Sequence, residues 1–127
     1  MVAATIKEIQ SQHFEHKVWM NELSFYADEV KIYERQLEEL VGKNIKEMLP
    51  MLEQFQNNFI RQKEVIDELK HEINAHEHEL AVMAEKDLNL APGSRYDHLA
   101  FREQMDTFKK IYSELKAEFI RFWGKWH

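Results

Sequence analysis

Residues 98–126, HLAFREQMDTFKKIYSELKAEFIRFWGKW, decide the fold. His98, Phe101, Met105, Phe108, Tyr112, Leu115, Phe119, Phe122 and Trp126 recur at alternating spacings of mostly three and four. That spacing places them along one stripe of an α-helix, and a strand would need alternation at two. Two further stretches carry the same pattern. The first reads Ile6, Ile9, His13, His16, Met20, Leu23, Ala27, Val30, Glu34, Leu37, Val41. The second reads Ile45, Met48, Leu52, Phe55, Phe59, Gln62, Ile66, Leu69, Ile73, His76, Leu80, Met83.

The breaks between these stretches are brief. Gly42 follows the first seam, and Asn44 with Glu47 has the form of an N-cap and its capping-box acid. Asn89-Leu90-Ala91-Pro92-Gly93-Ser94 forms the second break, with Ser94 or Asp97 available to cap the third helix. The expected architecture is all-α: one domain over residues 1–127, an elongated antiparallel three-helix bundle with coiled-coil-like heptad packing. Its helices run roughly over 5–41, 45–88 and 95–126, some ~50–60 Å long. Pro50 interrupts the second helix, either kinking it or leaving residues 44–49 as a separate turn.

Composition agrees. The 127 residues are 44% apolar and 12% aromatic, enough to bury a core, and only three are Gly. Without cysteine, a disulfide scaffold, an Fe–S cluster and a thiolate zinc site are excluded. The formal charge of −6 argues against a nucleic-acid partner. Lys109, Lys110, Lys116, Arg121 and Lys125 are broken by Glu114 and Glu118 and read as a solvated helix face. No apolar run is long enough for a membrane span, and the N-terminal stretch has no signal-peptide core. A cytoplasmic protein with no membrane association is expected. The aromatic C-terminus, with Trp123, reads as core.

No nucleophile elbow or phosphate loop is present, so a non-enzymatic role is expected. Folding about residue 42–43 sets residue i of the first helix near 85−i of the second. Folding about residue 90–91 sets residue j of the second near 181−j of the third. The third helix then ends short of the first hairpin, leaving Leu37, Leu40, Val41, Ile45, Met48, Leu49, Met51 and Leu52 on an uncovered tip. An apolar patch of that size marks an interface. The expected function is therefore self-association or binding of a protein partner through this tip.

The same register produces the alternative, a small metal-binding bundle. His13 and His16 share one face, Glu72 and His76 share another, and the two faces meet between the first and second helices. Imidazoles with a carboxylate suit Zn or Fe, and Asp106 or Tyr112 could complete the shell. The plainer use of these residues is a buried polar layer, with His13–Glu72 or His16–Tyr112 pairs and no cofactor. Glu34, on the seam, is expected to pair with Lys125 or His127. Glu68-Leu69-Lys70-His71 resembles the Glu-x-x-His element of ferritin-like di-iron proteins, and the His/Glu richness resembles that of hemerythrins. One such element on three helices falls short of the two elements and four helices of the ferritin-like type, so no family assignment is made.

Overall fold

The computed structural model describes residues 2–86 and 94–127. Three long α-helices account for nearly all of them: α1 (Val2–Val41), α2 (Leu49–Lys86) and α3 (Ser94–Trp126). A single 3-10 turn, Lys46–Met48, leads into α2. The helical bundle is thus as the periodicity predicts. The second break falls mostly on residues 87–93, outside the described residues.

The first connection differs from its expected form. Asn44 does not cap; it sits at φ 56°, the left-handed conformation that reverses the chain after α1. Ile45 occupies the N-cap of the 3-10 turn and makes no side-chain cap bond. Pro50 produces no kink, because α2 begins at Leu49 and Pro50 lies in its first turn, where backbone donors have no helical partner anyway.

Cross-helix contacts fix the register. His16 faces His76 and Tyr33 faces Phe59, so facing residue numbers on α1 and α2 total 92 and the two helices are antiparallel. The expected total is 85. The difference arises because the chain spends residues 42–48 on the turn, moving its centre from Gly42 toward Lys46. Glu15, Glu22 and Glu29 of α1 pair with Arg102, Lys109 and Lys116 of α3. The constant offset of 87 makes α1 and α3 parallel. Relative to expectation, α3 lies nine residues, roughly 13 Å, further toward the first hairpin.

That shift covers the tip. Leu37, Leu40, Met48 and Leu52 are buried, and Ile45 packs against the core. Lys43 Nζ donates to the carbonyls of Trp126 at 2.9 Å and His127 at 2.8 Å, tying the turn to the end of α3. Of the eight tip residues only Val41 (40%), Leu49 (53%) and Met51 (44%) remain exposed, so the large uncovered patch does not form. Glu34 likewise meets neither Lys125 nor His127; it pairs with Lys63 on α2 at 2.9 Å.

The core is strongly aromatic. Phe119, fully buried, packs within ring-centre distances of 5.2–5.3 Å of Phe59, Phe55 and Tyr33, one contact set drawn from all three helices. Such edge-to-face and tilted pairs add to the simple burial of area. Trp19 belongs to this core too, widening the α1 stripe, and Trp123 and Trp126 pack against it. No helix among the described residues is long and apolar enough to cross a membrane.

Candidate functional site

The most polar layer of the core lies at the end of the bundle away from the first hairpin. Its members come from all three helices: His16 and Trp19 on α1, His76 and Glu77 on α2, His98 and Phe101 on α3. The heptad pattern puts His16, His76 and His98 on inward stripes, while Glu15 and Glu77 occupy flanking positions that reach across to a neighbouring helix.

His16 and His98 are almost wholly enclosed, at 3% and 5% exposure. Each is held from behind by a carboxylate. His16 Nδ1 lies 2.9 Å from Glu77 Oε1, and His98 Nε2 lies 2.7 Å from Glu15 Oε1. Glu15 is also gripped by Arg102, with Nε at 3.0 Å and Nη2 at 2.5 Å. The second nitrogen of each ring, Nε2 of His16 and Nδ1 of His98, is buried with no hydrogen-bond partner. The ring centres are 5.4 Å apart. His76 stands 6.2 Å from His16 and 5.6 Å from Phe101, and Trp19 stacks on His98 at 5.1 Å.

Electrostatics in this layer oppose one another. Burial lowers the pKa of His16, and the Glu77 hydrogen bond and charge offset part of that effect. The imidazole is therefore biased toward its neutral form. Burial disfavours the Glu15 carboxylate, but hydrogen bonds from Arg102 and His98 outweigh it and hold the group below the usual carboxylate range. A neutral imidazole backed by an ionised carboxylate is a good hydrogen-bond acceptor and a good metal ligand.

The expected metal set, His13, His16, Glu72 and His76, is brought together only in part. His13 and His16 do meet one carboxylate, but it is Glu77. His76 is beside His16. Glu72 is not in the layer. It lines a groove of about 650 Å³ between α2 and α3, together with Leu69, Gln104 and Phe108, on a side of α2 turned from α1. Tyr112 does not reach His16 either; it donates a 2.5 Å hydrogen bond to Glu29. Asp106 is exposed on α3. Among the described residues no three His, Asp or Glu side chains already surround a point where a metal ion could sit.

Three residues missed from sequence are His98, Glu15 and Glu77. His98 is on the third seam and was visible there. The matched heptad spacing of Glu15, Glu22 and Glu29 against Arg102, Lys109 and Lys116 is a signal for Glu15, but that repeat allows several registers and either helix direction, so it does not by itself place Glu15 beside His98.

A second surface carries exposed apolar residues. Val18, Phe25 and Ile32 recur every seven residues on the outer side of α1, and Phe14 continues the row. Phe14 and Phe25 are 65% and 58% exposed. Compared with known proteins, the chain matches no family model, no curated relative and no solved structure.

Proposed function

We propose that this protein is a non-enzymatic helical-bundle interaction module that associates through the outer face of α1, with a second copy of the chain as occupant. The observation that supports it is the exposed heptad row Val18, Phe25, Ile32, extended by Phe14. Large apolar side chains repeated every seven residues form a second seam, and such a seam is stabilised by another helix.

The row is complementary to itself. A two-fold axis through Phe25 places Val18 opposite Ile32 of the other copy and stacks Phe25 on its counterpart. About that axis Asn21 lies opposite Glu29, and Asp28 lies opposite Glu22, whose carboxylate is paired with Lys109 at 2.8 Å within its own chain.

Light scattering and sedimentation over a wide concentration range test the proposal. The expected result is a dimer that Phe25→Asp converts to a folded monomer. A wild-type monomer at the highest concentration overturns it. So does a dimer that survives Phe25→Asp and dissociates with Leu49→Asp, which would assign the contact to what remains exposed of the hairpin tip.

A further inference from the structure

Beyond that interaction role, we propose that His16 and His98, joined by His76, form a binding site for one divalent transition-metal ion of the zinc class. Four observations support the site, and none depends on the α1 surface.

The first is the unused donor atoms. Nε2 of His16 and Nδ1 of His98 are enclosed in the core without a partner. Buried polar atoms are nearly always satisfied, so two in adjacent rings call for a shared one. The second is spacing. Zinc binds imidazole nitrogen at 2.0–2.1 Å, which sets two rings on a tetrahedral ion about 5.2 Å apart between centres. The His16–His98 distance is 5.4 Å. His76, at 6.2 Å from His16, must close by about 1 Å on His16 and turn toward His98 to complete the set.

The third observation is what stands behind the rings. Metal-bound histidines characteristically donate their other N–H to a carboxylate, which fixes the tautomer and raises ligand basicity. Glu77 holds His16 in this way and Glu15 holds His98. Glu77 also places a negative charge beside the ion, while the charge of Glu15 is already met by Arg102, in a layer that is otherwise apolar with Trp19 and Phe101. The fourth is access. A cleft of about 150 Å³ opens beside His98 on its Glu15 and Arg102 side, and a second small one beside His76 is lined by Gln12 and Asp97, so two of the three rings border the surface. Three imidazole nitrogen donors leave a coordination position open, and the absence of thiolates favours zinc, nickel or copper over softer-ligand chemistry. Carboxylates thus serve to orient the rings, and the ion's ligands are imidazoles from three helices.

The test uses tag-free protein and zinc chloride alone. Equilibrium dialysis with elemental analysis is expected to give one zinc per chain. His98→Gln and His16→Gln abolish it, and Glu15→Gln or Glu77→Gln weakens it about 10- to 100-fold. His71→Gln/His78→Gln, at positions of α2 outside the layer, leaves it unchanged. Because core substitutions can unfold the bundle, imidazole NMR of the wild-type protein provides the second readout. Zinc is expected to shift the His16, His76 and His98 ring signals. The proposal is overturned if zinc does not bind, if binding is lost in His71→Gln/His78→Gln, or if the shifted rings are only those outside the layer. In those cases the two unpartnered nitrogens share a water.

Discussion

Replacing Glu29 with alanine tests the parallel α1–α3 register through one side chain. Glu29 accepts a 2.5 Å hydrogen bond from the Tyr112 hydroxyl and pairs with Lys116 at 2.9 Å. Tyr112 is 1% exposed, so its hydroxyl has no water to turn to when the carboxylate is removed. Burial and the Glu29 bond both raise the Tyr112 pKa, so the phenol stays protonated and must donate. Leaving a buried donor without its charged acceptor costs about 2–3 kcal/mol. For a chain of this length that is a fall in Tm of roughly 8–12 °C.

Glu22 provides the internal comparison. It pairs with Lys109 at 2.8 Å in the same ladder, but both side chains are about a third exposed and neither contacts a buried hydroxyl. Glu22→Ala should therefore cost less than about 1 kcal/mol. The cycle is completed with Tyr112→Phe, which removes the donor and leaves Glu29 with Lys116. Once the hydroxyl is absent, Glu29→Ala orphans nothing buried, since Lys116 reaches solvent. The expected coupling between Glu29 and Tyr112 is about 1–2 kcal/mol. Urea and thermal unfolding followed by circular dichroism measure the four proteins of the cycle and Glu22→Ala. Equal costs for Glu29→Ala and Glu22→Ala, or no coupling in the cycle, would refute the reasoning and with it the offset that places α3 against α1.

Two further substitutions probe other features. Asn44→Val should destabilise by about 1–2 kcal/mol, because a β-branched residue is strained at φ 56°, whereas Asn44→Gly should stay within about 0.5 kcal/mol of wild type by the same unfolding assay. Gln62→Leu should stabilise by about 1 kcal/mol, read as a higher urea midpoint with unchanged slope, since Gln62 is buried on α2 with its Oε1 unpartnered; a loss of stability would show that an ordered water satisfies that oxygen.

The elements themselves were legible in the sequence for a local reason. Hydrophobic spacing and helix-forming composition act within a few turns, so the three seams, the break after Val41 and the inward positions of His16, His76 and His98 are set by neighbours along the chain. Pro50 was ambiguous between a kink and a separate turn because its effect depends on whether the helix has already begun. The structure starts α2 one residue earlier, at Leu49, and the ambiguity disappears.

Register was a different matter, and it controlled the candidate site. A heptad seam slid by seven residues presents the same kinds of residue, so periodicity fixes which face is buried but not which turn meets which. The ladder of Glu15, Glu22 and Glu29 with Arg102, Lys109 and Lys116 has the same seven-residue repeat and shares that degeneracy. What breaks it is aperiodic: the seven residues spent on the turn at 42–48, the Tyr33–Phe55–Phe59–Phe119 cluster, and the histidine layer at the other end. These are contacts between residues far apart in the chain. They left Glu72 out of the layer, brought Glu77, Glu15 and His98 into it, and drew α3 over the hairpin tip. The sequence by itself determined three amphipathic helices and the inward face of each. Only tertiary packing decided their alignment along the bundle axis, because shape and hydrogen-bond matching distinguish between registers that hydrophobic burial alone leaves nearly equal.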